Sequence, residues 1–305
     1  MTTHESTIAV AEVAEVVVDE QEPARRGRSR RRRTEGPNRW YLYIPLVIGL
    51  AVTILPFAWM VSGAFKTQSE ILSGQFSLLP NDATLQNFRD LFTKFPFARY
   101  FTNSVVVAVA IVLGNLLFCS MLAYALTKLD FWGRKVLFGL VMTMLMVPTV
   151  VTFIPLFVLV TKLGLVNTYG ALILPFLATP LGVFIMRQFI SEIPDSLIEA
   201  ARIDGASEMR IFFTIVIPLS GPALATLAIL QFLASWNEFL WPLVAAQTED
   251  MYTLPVGIAL ISAGSNTVNY GLLLAGATVI VTPILLLFLF LQRYFIQGIS
   301  TTGLK

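Results

Sequence analysis

The densest run of chemically active side chains is Glu199 to Pro222, EAARIDGASEMRIFFTIVIPLSGP, set between two apolar stretches. It holds five charges, Glu199, Arg202, Asp204, Glu208 and Arg210, with two prolines and a break at Gly205. Carboxylates and guanidinium groups placed this way make charge-assisted hydrogen bonds, which suit docking against a second polar surface. They do not assemble a catalytic or metal centre. His4 is the only histidine and lies near the N-terminus; Cys119 is the only cysteine and sits in an apolar run, so no metal site or intrachain disulfide is expected. No catalytic residue is assigned.

Local signals give the run a shape. Pro194 sets up a start, and Ser196 with Glu199 three residues later fits a capping box, which predicts a short helix over Leu197 to Ile203. Gly205 supplies a turn that needs positive φ. A second short helix follows over Ser207 to Thr214, ending before Pro218. Ala200 and Ala201 leave a small-residue patch where another backbone could approach. Simpler roles stay open beside this one: Glu199 as capping-box partner alone, the other four charges as a solvated face, Gly205 as a plain helix cap.

The elements that must hold this loop are apolar. Hydrophobic residues make up 56% of the 305 positions and charged residues 13%, against roughly half and a quarter in soluble domains. That excludes a water-soluble enzyme and predicts an all-α integral membrane protein, because only a helix satisfies its own backbone groups across the roughly 30 Å hydrocarbon core. Six runs are long enough: Tyr41 to Phe65, Phe101 to Leu126, Val136 to Val160, Tyr169 to Met186, Ile217 to Ser235 and Gly271 to Leu291. A seventh patch, Leu254 to Ala263, is too short to span and is expected as a re-entrant or surface helix. The spans lack midplane ionisable groups, with Arg187 and Glu238 at span ends, so an ion-coupled secondary carrier has no relay to run on. No G-x-x-x-x-G-K-[ST] occurs, so the chain cannot be its own P-loop ATPase.

Counting Lys and Arg by side places sixteen with both termini and the charged loop and five opposite, which predicts cytoplasmic termini and a cytoplasmic loop. Without the Arg-rich stretch RRGRSRRRR the count is eight against five. Residues 1–38 are expected as a disordered arm whose Arg block touches anionic lipid rather than nucleic acid, and the first apolar run is expected to be retained rather than cleaved.

With the loop and its topology in place, the sequence resembles the inner-membrane permease subunits of ABC importers. Their signature is Glu-Ala-Ala, three residues, Gly, nine residues, then Ile-x-Leu-Pro. Here Glu199-Ala200-Ala201 precedes Gly205, and Ile215-Val216-Ile217-Pro218 follows, with Ile217 as the one departure. SWNEFLWPL at Ser235 to Leu243 and the tail QRYFIQGISTTGLK resemble the carbohydrate-uptake branch, similar to the smaller maltose permease. The resemblance implies the type I ABC importer permease fold of six transmembrane helices. It also implies that Glu199, Ala200, Ala201, Arg202, Asp204, Gly205 and Pro218 form a cytoplasmic coupling helix docked on a separate ATPase subunit. Implied partners are a second permease, two ATPase subunits that bind ATP and Mg, and an extracytoplasmic sugar-binding protein. The implied location is a bacterial plasma (inner) membrane.

On that reading residues 39–297 are the permease domain and 298–305 a cytoplasmic tail, either frayed or ordered by the ATPase. Asn115, Gln231, Trp236, Asn237 and Glu238 are candidate substrate-path residues, though an interfacial aromatic belt explains the tryptophans equally well. Gly221, Ala225 and Ala228 form a small-residue stripe suited to close helix packing. A permease for an amino acid, peptide or polyol phosphate is the nearer alternative, and a secondary carrier the more distant one.

Overall fold

The computed structural model describes residues 43–263 and 268–302, with side chains given up to residue 261 and over 268–290. The Arg-rich arm lies outside the described residues. The chain divides into two units at Thr53 and Ile54; the described part of the first, residues 43–53, is helix with every side chain exposed.

The elements in chain order are α1 (Tyr43–Ala64), α2 (Gln68–Leu72), α3 (Gln86–Lys94), α4 (Phe97–Gly114), α5 (Ser120–Lys128), α6 (Arg134–Met146), α7 (Thr149–Lys162), α8 (Tyr169–Ile173), α9 (Pro180–Ser191), α10 (Asp195–Ile203), α11 (Glu208–Ile211), α12 (Ile217–Leu219), α13 (Gly221–Trp236), α14 (Leu240–Ala245), α15 (Leu254–Ala263) and α16 (Tyr270–Thr302). Two π-helical segments, Asn115–Cys119 and Phe212–Val216, join α4 to α5 and α11 to α12. Among the described residues there is no strand.

Four helical stretches are long and apolar enough to cross a membrane: Tyr43–Ala64, Phe97–Lys128, Tyr169–Ser191 and Tyr270–Phe290. Two further pairs qualify only as bent spans, Arg134–Met146 with Thr149–Lys162 at 106° and Glu208–Leu219 with Gly221–Trp236 at 81°. The expected third span, Val136 to Val160, is therefore broken in the middle. Pro148 is the cause: it disfavours helical backbone at the residue before it, and Val147 is extended at φ −81, ψ 120. The fourth also changes character midway, with a 3-10 turn at Leu174–Phe176 before Pro180 restarts the helix.

The bundle core sits where α5 packs along α9 and where α13 packs against α4 and α16. Gly182 lets α9 approach the Asn115–Cys119 segment and α13, because a Cβ there would lie 2.8 Å from Cys119 Sγ and 3.1 Å from Leu227 Cδ1. The short helix α15 is an integral layer rather than a surface element. It packs on α4 and α16, and Leu254, Val256 and Ile258 are buried. At the C-terminus the backbone from Gln297 to Thr302 continues α16.

Candidate functional site

The charged loop folds into two short helices at a sharp turn. Helix α10 begins one residue after Pro194, whose φ −58, ψ 131 sets its entry, and no side chain caps it. The expected capping box is thus absent: Ser196 is already inside the first turn, and the exposed Glu199 side chain makes no hydrogen bond among the described residues. A real side-chain cap occurs at α11, where Ser207 accepts the Arg210 N–H.

The turn is a Schellman motif. Gly205 takes φ +79; its N–H donates to Arg202 O, and the Ala206 N–H donates to Ala201 O, both at 3.0 Å. These bonds satisfy the carbonyls that a helix C-terminus otherwise leaves open. The second helix does not stop before Pro218. Helical backbone runs through the π segment and α12 to Leu219, with Pro218 inside it. The chain turns at Ser220, φ −84, ψ 11, and α13 leaves from there.

What holds this element is a polar cluster at the end of α5. Lys128 Nζ, its side chain 4% exposed, donates to Asp195 Oδ1 and to Ile193 O, each at 2.6 Å. Arg202 Nε lies 2.7 Å from Glu208 Oε1, and Arg202 Nη2 donates to Lys128 O at 3.1 Å. The Tyr124 hydroxyl donates to Glu208 Oε2 at 2.5 Å. Glu208 raises the Arg202 pKa, and Lys128 holds the Asp195 carboxyl below the ordinary aspartate range. Beneath these bonds Ile198 and Ile211 insert into a cluster with Ala123, Tyr124, Ile190 and Phe212.

Burial sorts the predicted loop residues into two faces. Glu199, Ala200, Arg202, Asp204, Gly205 and Pro218 are exposed, while Ala201 turns half inward against the core. Leu197, Ile203 and Met209 add exposed apolar surface at 46%, 86% and 52%, so the outer face combines charge with unburied apolar groups. Tyr124 and Lys128 were missed as members of this site. They lie four residues apart on one helix face, but their partners are up to 84 residues away, beyond any local pattern.

The candidate path residues separate differently. Asn115 is fully buried and ties the break in the fourth span to α4, donating to Ile111 O and Phe176 O and accepting from the Thr179 N–H and hydroxyl. Gln231 Nε2 donates to the same Thr179 hydroxyl at 2.8 Å. Trp236 is not a surface platform: it is 1% exposed, stacks on Phe232 and donates to Ile280 O at 3.0 Å. Trp241 is likewise buried, donating to Ala171 O at 2.9 Å between Phe153 and Phe176. Both indoles are buried in the bundle, which argues against the belt reading and leaves Trp236 no exposed ring face. Asn237 and Glu238 remain exposed, and a Glu238 oxygen accepts the Trp241 N–H at 3.2 Å.

Gln231 and Glu238 meet at a cavity of about 80 Å³ that Thr179, Ser235, Thr253 and Trp241 also line. The Ser235 and Thr253 hydroxyl oxygens are buried without a hydrogen-bond partner. Among the described residues no group of three or more His, Cys, Asp or Glu side chains could hold a metal.

Residues 116–301 match the family described as "binding-protein-dependent transport system inner membrane component", and the chain belongs to that family. The arabinooligosaccharides transport system permease protein AraQ of Halalkalibacterium halodurans is 43% identical over 279 residues, covering 90% of this chain and 99% of that protein. The diacetylchitobiose uptake system permease protein NgcG of Streptomyces coelicolor is 33% identical, covering 84% of this chain and 85% of that protein. The crystal structure of a bacterial ABC transporter involved in the import of the acidic polysaccharide alginate shares the fold, with a TM-score of 0.77 at 24% identity over 84% of this chain and 95% of that one. The resemblance to carbohydrate ABC transporter permeases therefore holds across the permease core.

Proposed function

We propose that this chain is one permease subunit of an ATP-driven sugar importer. It pairs with a second permease and receives a sugar or oligosaccharide from an extracytoplasmic binding protein. Two separate ATPase subunits hold ATP and Mg, and this subunit carries no catalytic step. The observation that carries the reading is the outer face of α10 and the Gly205 turn, which is solvent-exposed while its inner face is clamped to α5. Such an element transmits force: a partner seated on Glu199, Ala200, Arg202 and Asp204 moves α5 and α13 with it.

The proposed orientation puts this loop, the Arg-rich arm and the C-terminal tail in the cytoplasm of a bacterial cell, with the arm against anionic lipid. The Lys and Arg distribution supports it. Loop surface with exposed Ile203 and Met209 is then available to the ATPases.

A non-sugar solute is the second reading, because the sn-glycerol-3-phosphate transport system permease protein UgpE of Pectobacterium atrosepticum is 32% identical over 266 residues. The sugar reading is preferred because the arabinooligosaccharide and diacetylchitobiose permeases are the more similar relatives, at 43% and 33% identity. The test is co-purification with candidate ATPases, followed by ATP hydrolysis with binding protein loaded with arabinotriose, diacetylchitobiose or sn-glycerol 3-phosphate. Stimulation by a sugar-loaded form is expected; stimulation by the phosphate alone would reverse the assignment.

A further inference from the structure

We infer that the cavity beside Glu238 is a subsite for one hydroxyl or hydroxymethyl arm of a carbohydrate in transit. The inference rests on the sugar-permease reading above and gives that reading a location in this chain.

Size comes first. A water needs only about 10–15 Å³ of such a cavity, so about 80 Å³ holds several waters and readily takes a –CH2OH arm.

The lining then selects the chemistry. Thr253 is 4% exposed, yet its hydroxyl oxygen and that of Ser235 have no hydrogen-bond partner. Buried polar groups are nearly always paired, and leaving one unpaired is costly. Two on the same void are a ready pair of partners for an incoming group. Glu238 adds a pure acceptor to hydroxyls that both donate and accept, a mixture that matches an alcohol. With no cationic side chain in the lining, an anion is disfavoured. Val107, Trp241 and Pro242 supply apolar wall for the C–H faces beside a sugar hydroxyl.

Access comes from α13. Ala234 and Glu238 line the cavity and are exposed, as is neighbouring Asn237. A carboxylate and a carboxamide at the end of a span belong toward water rather than hydrocarbon. The mouth thus opens on the hydrated side of the helix, where a passing substrate can insert an arm and displace resident water.

The test uses the whole transporter in proteoliposomes, both permeases with ATPases and saturating loaded binding protein. Uptake is compared for arabinotriose and a set of mono-deoxy arabinotrioses, each lacking one hydroxyl. Wild type should carry at least one deoxy analogue about tenfold more slowly, the equivalent of one to two hydrogen bonds. Ser235→Ala with Thr253→Val should carry arabinotriose and that analogue at the same slow rate, and Thr253→Ser should restore discrimination. Ser235→Ala alone reads the same effect if the double variant does not assemble. Equal discrimination in wild type and variant, or none in wild type, overturns the subsite and leaves the sugar reading standing. Uptake of no oligosaccharide by wild type, with maltotriose and diacetylchitobiose also tried, overturns both.

Discussion

Arg202 and Glu208 face each other across the Gly205 turn, Nε to Oε1 at 2.7 Å, while the other oxygen of the same carboxylate accepts the Tyr124 hydroxyl at 2.5 Å. One carboxylate thereby ties the two loop helices to each other and to the second span. The ion pair itself is partly exposed, at 39% and 42%, and contributes at most about 1 kcal/mol. Its value is positional. Glu208→Gln and Tyr124→Phe should each cost only about 1 kcal/mol of stability but lower sugar carried per ATP hydrolysed several-fold. Unchanged transport stoichiometry in both variants would show that the clamp transmits nothing.

Gly205 gives a cleaner test, because no atom lies within 4 Å of where its Cβ would be. Within this chain any strain from substitution is then backbone strain at φ +79 and not a clash. Gly205→Val should cost at least about 1–2 kcal/mol locally and uncouple hydrolysis from uptake with membrane insertion intact. Gly205→Asn should retain coupling, since Asn tolerates the left-handed region. The measurement is uptake and ATPase activity of matched membrane fractions, and normal uptake by the valine variant would remove the turn from the mechanism.

Much of this loop was readable from composition and spacing, for physical reasons. Gly205 stands where a positive φ is needed, and the charges of Glu199 to Arg210 interrupt apolar sequence on a scale that periodicity detects. The breaks were not readable from run length alone: Val136 to Val160 is apolar throughout, and only the backbone restriction by Pro148 bends it. The tryptophans misled because an indole at a span end satisfies its N–H equally well at an interface or inside. The choice depended on Ile280 O and Ala171 O, carbonyls far away in sequence. Thr253 gave no local signal either, since a lone hydroxyl before a short apolar helix reads as an ordinary cap.

Trp241 should behave as a structural residue. Trp241→Ala should destabilise the purified complex by about 3–5 kcal/mol. Trp241→Phe should cost less, chiefly the bond to Ala171 O at 2.9 Å. Thermal unfolding in detergent reads both. A lowered uptake rate with an unshifted transition would instead show that the indole acts chiefly as a wall of the cavity.

The Lys128–Asp195 bond sets a pH expectation. Lys128 depresses the Asp195 pKa below 3.8, so its contribution is fully present above the unfolded value and is lost as pH falls through the folded one. Between pH 8 and 5 the wild type and Asp195→Asn should differ by a constant factor in uptake per ATP. That difference should shrink only below about pH 4. A difference that vanishes near pH 6 would assign the effect to another group.

The π-helical segments at Asn115–Cys119 and Phe212–Val216 each carry more residues per turn than the helix around them. Removing one residue from an α-helix rotates everything beyond it by about 100°. Removing one from either of these segments lets the backbone relax to α geometry and leaves the downstream faces nearly where they were. These are therefore the two places along the second and fifth spans where the chain can lose a single residue without re-aiming Tyr124, Lys128 or the far wall of the cavity.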